Sequence, residues 1–249
     1  MQKIYCNSGA GKAFAWSCKL FNFLPYKNNK YPSQKHLRHI LVTDWLKSLP
    51  EGSKILDAGA GRQIYKPYCR HLDYTSQDFG LFNGELKNGE KYDWDSESCD
   101  IICNITDIPC DDSTFNYILC TEVFEHLPEP ALAIKEFSRL INKYGKILIT
   151  CPFSCGYHQE PFFFSSGYSR YWFEHFATMY DFQIYDLLEH GTYFTQLQFH
   201  LNRFWKISGC LEMRDATEAF IQKLNENIES IRSVTPKQPE SIYVLLERN

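Results

Sequence analysis

Short apolar runs separated by polar turns dominate the middle of this chain. Residues 33–52, "SQKHLRHILVTDWLKSLPEG", place Leu37, Ile40, Leu41 and Trp45 at helical spacing behind Ser33 as N-cap, which predicts a helix from Ser33 to about Leu49. Pro50 and Gly52 stop it. "KILDAG" (54–59) then reads as a short buried strand running into glycines. "RQIYKPYCRHL" (62–72) reads as a helix that Pro67 interrupts or shortens. "DYTSQDFG" (73–80), "CDIICNIT" (99–106) and "FNYILCTE" (115–122) are the next strands. A helix in "PEPALAIKEFSRLIN" (128–142) follows, ended by Gly145, and "KILITCPF" (146–153) is a fifth strand. Beyond it, a helix is predicted from about Ser169 to Tyr180, strands at 182–191 and 241–248, and helical segments near Gln196–Lys206 and Ala216–Ser233. Strands alternating with helices over short loops predict βαβ units and a parallel α/β sheet.

Domain organisation follows from the same pattern. Residues 1–32 are irregular, residues 33–249 form one domain, and about 192–235 is a helical insertion before the last strand. Composition excludes several classes. The net charge is −4 and no basic stripe is present, so no nucleic-acid partner is expected. No apolar run reaches the roughly 18 residues of a membrane span, and the start lacks a signal-peptide pattern, so a cytoplasmic location is the expectation. Ten scattered cysteines read as buried reduced thiols. Cys151, Cys155 and His158 in "CPFSCGYH" supply only three candidate zinc ligands where a structural site wants four.

Two Gly-Ala-Gly stretches raise the question of a nucleotide. "NSGAGKA" (7–13) lacks the first glycine, the hydroxyl after Lys12 and the preceding strand of a phosphate loop, so it reads as a turn. "KILDAGAGRQ" (54–63) has the right context: a strand leads directly into Gly59 and Gly61, whose backbone can approach a ligand closely. The dinucleotide fingerprint would need glycine where Ile64 stands. Asp57, two residues ahead of Gly59, would repel a pyrophosphate and attract a cationic ligand carrying an ammonium and a sulfonium. S-adenosylmethionine has that charge pattern.

D-x-G-x-G after a strand resembles the first motif of class I S-adenosylmethionine-dependent methyltransferases, of the type 11-like group. "NITDIPCDDSTFNYILCTEVFEHLPEP" (104–130) is similar to the family's third and fourth strands, and "EFSRLINKYGKILITCP" (136–152) to the helix, turn and fifth strand that follow. The resemblance implies a Rossmann-like, doubly wound, seven-stranded, mostly parallel sheet with an antiparallel last strand. It implies that Asp57, Gly59, Gly61, Asp78, Asn104, Ile105 and Glu122 hold the donor: Asp78 at the ribose hydroxyls, Asn104 and Ile105 at the adenine, Glu122 closing the site. Gln63, Asn104 and Asn116 stand where the family often has a third glycine and two acids.

For the acceptor side, His158 and His126 are candidate bases, and Tyr157, Phe162, Tyr168, Arg170 and Tyr171 candidate acceptor-binding residues, with rings capping the core as the alternative. Transfer of a methyl from a sulfonium needs no metal, and none is the leading expectation. An alternative takes "TEVFEHL" (121–127) as one helical turn bringing Glu122, Glu125 and His126 to one face, with His158 as a fourth ligand for a divalent ion. That set resembles the ion site of metal-dependent O-methyltransferases. By resemblance the "H-x-E-P…Y-x-R-Y" loop is similar to that of envelope-saccharide enzymes, so a small-molecule or saccharide hydroxyl or amine is the expected acceptor. A non-catalytic donor-binding protein is the remaining alternative, and the helical insertion would cover the pocket or form a homodimer contact.

Overall fold

The computed structural model describes residues 34–80, 98–191, 196–197, 200–201, 204, 214–226 and 239–249. The irregular reading of 1–32 and the N-cap at Ser33 lie outside them, as does most of the helical insertion. Helix α1 is Gln34–Ser48 and strand β1 is Lys54–Ala58. Then follow β2 (Asp73–Asp78), β3 (Ile101–Ile102), β4 (Phe115–Thr121), α2 (Pro130–Leu140), β5 (Ile141–Pro152), α3 (Arg170–Met179), β6 (Phe182–His190), α4 (Arg214–Glu226) and β7 (Ser241–Arg248). No helix among the described residues is long and apolar enough to cross a membrane.

The strands form one seven-stranded sheet in the order β3-β2-β1-β4-β5-β7-β6. Pairing is parallel from β3 through β5, and β7 lies antiparallel between β5 and β6. Ile55, Leu56, Asp57 and Ala58 of β1 are all buried, as expected of a parallel strand covered on both faces. In α2, Ala133, Ile134, Phe137 and Leu140 make the buried stripe and join Leu56, Ile118, Ile147, Ile149 and Val244 in the main core. Strand order reverses at β1, which has β2 on one side and β4 on the other. A ligand crevice in such sheets opens outside the carboxyl ends of the strands flanking that reversal, here after Ala58 and Thr121.

Three local expectations are corrected. Residues 62–72 hold only a 3-10 turn at Lys66–Tyr68, with Pro67 in its first positions. Helix α2 ends at Leu140, and Ile141 is already extended and paired with Phe115. The register then jumps to Tyr117 against Lys146, so Asn142–Gly145 form a bulge with Tyr144 at φ +63°. Gly145 thus serves close packing rather than helix termination: a Cβ there would press on Ile141 and on the carbonyl oxygens of Asn116 and Asn142. Third, Glu122–His126 is no α-helical turn. Glu122 has φ +54°, and a 3-10 turn spans only Phe124–His126.

Candidate active site

The loop after β1 is built from backbone. Gly59 and Gly61 have φ of +71° and +49°, conformations that glycine adopts without the Cβ penalty. At Gly59 a Cβ would lie 2.5 Å from a methyl of Val123, so the loop packs directly on the residue following Glu122. Gln63, where the family often has glycine, is itself left-handed at φ +51°, and its amide donates to the Ser98 carbonyl and hydroxyl at 3.1 and 2.9 Å. The bend therefore survives the replacement, held by a side-chain anchor.

Two buried carboxylates flank this loop. Asp78 accepts the Gly61 N–H at 3.0 Å and the Gly80 N–H at 3.1 Å. Asp57 is 2% exposed and accepts the Tyr74 hydroxyl at 2.7 Å. Burial raises its pKa to about 6, against the pull of the Tyr74 bond and reinforced by the nearby Asp78 charge. A buried acid destabilised in its charged form fits a cationic ligand, which would supply the missing counter-charge. Gln77 ties the loop to the residue after β3: its side-chain Oε1 accepts the Gly59 N–H at 3.2 Å and its side-chain amide donates to the Cys103 backbone carbonyl at 2.8 Å. Tyr74 and Gln77 went unrecognised in the sequence, where nothing marks a strand side chain as the partner of a neighbouring loop.

On the adenine side, Asn104 is exposed and its oxygen accepts the backbone N–H and hydroxyl of Thr106 at 3.1 and 3.0 Å. Any further bond from that oxygen must use its remaining lone-pair capacity. Ile105 is buried in the core. Asn116, in place of a second acid, accepts the Lys54 N–H at 2.9 Å and fastens the start of β1.

At the end of β4 the side chains diverge. Glu122 forms an ion pair with Arg38 of α1 and accepts the Thr150 hydroxyl at 3.0 Å. Arg38 sits within the buried stripe Leu37, Leu41, Val42, Trp45, and a charge in that apolar pattern was the available signal for its pairing. Glu125 is 1% exposed, and its neighbours are His126 and His158, whose Nε2 atoms lie 3.8 and 4.0 Å from Oε1. Burial, with the Glu122 charge adding to it, raises the Glu125 pKa to about 8. Burial likewise lowers His126 to about 4. Phe162 supplies the carbonyl facing His126 Nδ1, and its ring stands edge-on to Phe79 at 5.1 Å. The residues expected to form the four-membered ion set therefore separate: Glu125, His126 and His158 come together, and Glu122 turns to Arg38.

The acceptor candidates also divide. Tyr157 and Tyr171 are 73% and 72% exposed. Arg170 pairs along its own helix with Glu174 at 3.0 Å. Tyr168 is a core residue, buried with its hydroxyl donating to the Phe124 carbonyl at 2.9 Å, because the ring fills space against Phe124, Trp172 and Phe173. Cys151 is fully buried as a free thiol, its pKa driven up by burial, and among the described residues His158 groups with Glu125 and His126 rather than with Cys151 and Cys155.

A family model described as a methyltransferase domain matches residues 33–201. The chain belongs to that family. It is a class I S-adenosylmethionine-dependent methyltransferase by family and fold, and its cofactor is S-adenosylmethionine. No curated protein matches the sequence. Among solved structures, it is similar to a SAM-dependent methyltransferase from Archaeoglobus fulgidus at 13% identity, covering 93% of this chain and 99% of that one, with a TM-score of 0.55. The [4+2]-cyclase SpnF is similar at 13% identity over 89% and 85% of the two chains, TM-score 0.54. Phosphoethanolamine N-methyltransferase 2 from Haemonchus contortus, in complex with S-adenosyl-L-methionine, is similar at 12% identity over 90% and 55%, TM-score 0.51. At these identities the likeness shows the fold, and the cyclase illustrates that one fold hosts different reactions.

Proposed function

We propose that this enzyme methylates a hydroxyl or amine of a small molecule or saccharide, with the donor between β1 and β4 and the acceptor under the 153–171 loop. The observation that carries this reading is the pairing of two buried carboxylates, Asp57 and Asp78, around a left-handed glycine loop at the sheet's reversal point. Bound S-adenosylmethionine supplies an already activated sulfonium methyl. Asp57 then balances the ammonium, Asp78 receives the ribose hydroxyls, and the backbone at Gly59 and Gly61 admits the donor closely. Asn104 and Ile105 border the adenine, and Glu122, fixed by Arg38, closes the methionine end.

In this reading the protein's share of the reaction is orientation, exclusion of water and removal of one proton. His158 Nε2 accepts the acceptor's proton; its side chain is 37% exposed, against 14% for His126, which backs it. Tyr157, Phe162 and Tyr171 contact the acceptor, with Arg170 at the rim. The seven described cysteines are all free thiols, which supports the cytoplasm as its compartment. Helix α4, with Phe220 54% exposed, supports a covering or homodimer role for the 192–235 insertion. No nucleic-acid or membrane partner is proposed.

The test is calorimetry with S-adenosylhomocysteine, coupled to radiolabelled methyl transfer into a fractionated small-molecule extract. Label should enter a saccharide or other low-mass fraction. His158→Ala should retain S-adenosylhomocysteine binding and lose turnover; full turnover in that variant would refute the base assignment.

A further inference from the structure

Strands β2, β1, β4 and β5 run parallel side by side, so their carboxyl ends share one edge of the sheet. The loop that leaves β5 does not stay over its own strand. It is bonded to the turn after β4, where the Phe164 and Ser165 N–H groups donate to the Glu125 carbonyl at 2.9 and 3.2 Å. It also reaches the residue after β2: the Phe162 ring stands edge-on to Phe79, with centroids 5.1 Å apart. At roughly 4.8 Å per strand, β2 and β5 stand about 14 Å apart, with β1 and β4 between them. The loop therefore passes across the outer ends of β4 and β1, where the Gly59–Gly61 bend lies.

The two legs of this loop are joined at their base. The Cys155 N–H donates to the Ser166 carbonyl at 2.7 Å and the Tyr168 N–H to the Pro152 carbonyl at 3.0 Å. At the tip, the Phe162 N–H donates back to the Gln159 carbonyl at 3.0 Å. Phe162 also ties the tip outward, by its ring to Phe79 and by its carbonyl facing His126 Nδ1. Phe79 is itself held in place, because the next N–H, that of Gly80, donates to Asp78. The carboxylate proposed for the ribose thus also fixes the turn that presents Phe79. We infer that residues 153–168 are a strap across the donor crevice, with Phe162 on Phe79 as its clasp, so that cosubstrate enters and product leaves only when that contact parts. A single edge-to-face pair is strong enough to favour the closed strap and weak enough to open at every turnover. Such a strap presupposes the proposed donor placement between β1 and β4, and it gives a donor-side duty to a ring so far assigned to the acceptor.

Association and dissociation of S-adenosylhomocysteine are followed on the full chain by surface plasmon resonance. The clasp is already closed in the free protein, so loosening it speeds entry and exit together. Phe162→Ala should raise both rate constants about fivefold and leave Kd within about twofold of the parent. In a Phe79→Ala background the same substitution should change neither rate further, because the contact is already gone. Phe162→Leu keeps apolar bulk at this half-buried position and loses the ring edge, so it should show the same acceleration free of any folding defect. A rise in dissociation alone, with affinity lost in proportion, makes Phe162 an ordinary ligand contact and overturns the strap. Unchanged rates overturn it too, as does a Phe162→Ala effect that persists in full without Phe79. A parent protein that binds no S-adenosylhomocysteine overturns the donor placement, and the strap with it.

Discussion

The proposed donor side and the proposed acceptor side of this site are built on opposite principles. After β1, main-chain geometry does the shaping: glycines at positive φ, amides bonded to Asp78 and Gln77, and carboxylates buried beneath. After β4 and β5, side chains do it: Glu125 and His126 from the turn after β4 meet His158 and Phe163 from the loop after β5, whose Tyr157 and Phe164 are open to water. Under the proposed function, the backbone-built side recognises the constant cosubstrate and the side-chain-built side is free to change with the acceptor. The difference teaches that disruption on the first side should abolish binding of the donor, and on the second should alter only what is methylated.

The largest effect expected is at Asp78. Asp78→Ala removes a charged acceptor of two loop N–H groups and of the proposed ribose hydroxyls. At about 1.5–3 kcal/mol for each charge-assisted bond, S-adenosylhomocysteine affinity should fall on the order of 100-fold by calorimetry. An unchanged affinity would erase the contrast between the halves. Gly59→Ala must adopt a strained φ and meet Val123, so stability in urea should drop by about 2 kcal/mol, with donor affinity falling alongside.

A pH series sharpens the comparison further. Asp57 has a native pKa of about 6 against an ordinary 3.8. The native state therefore binds more protons between those values, and this group's contribution to apo stability is lost as pH rises through that window. Donor binding has the reverse sign, because only the carboxylate attracts the ammonium. Affinity for S-adenosylhomocysteine should rise about tenfold from pH 5 to 7, and Asp57→Asn should flatten the curve. The smallest effect is at the rim: Tyr171→Ala, on a residue 72% exposed, should leave stability within about 0.5 kcal/mol and change the acceptor KM alone.

The elements legible in the sequence were those whose causes are local. Ile55–Ala58 is an apolar run ended by glycines, and Pro130 with the stripe Ala133, Ile134, Phe137 defines a helix. The glycine loop after β1 was equally plain, because Asp57, Gly59 and Gly61 adjoin in sequence. What stayed hidden depends on partners distant in the chain. The end of α2 is set by Phe115 pairing with Ile141, which overrides the stop expected at Gly145. Glu122 turns away from Glu125 because Arg38, 84 residues earlier, stands ready to pair with it. His158 stands out in the sequence only as a histidine after a strand; the loop that carries the Phe162 carbonyl back to His126 brings the two imidazoles edge to face at 4.8 Å.

Strand β7 comes latest in sequence among the described strands, yet it sits in the interior of the sheet, hydrogen-bonded to β5 on one side and β6 on the other. While the ribosome has yet to release residues 241–248, β5 and β6 are two open edges with apolar faces and nothing between them. The nascent chain must therefore carry that gap until residues 241–248 emerge. A premature stop before Ser241 would leave no smaller folded enzyme behind, only a substrate for chaperones and proteases.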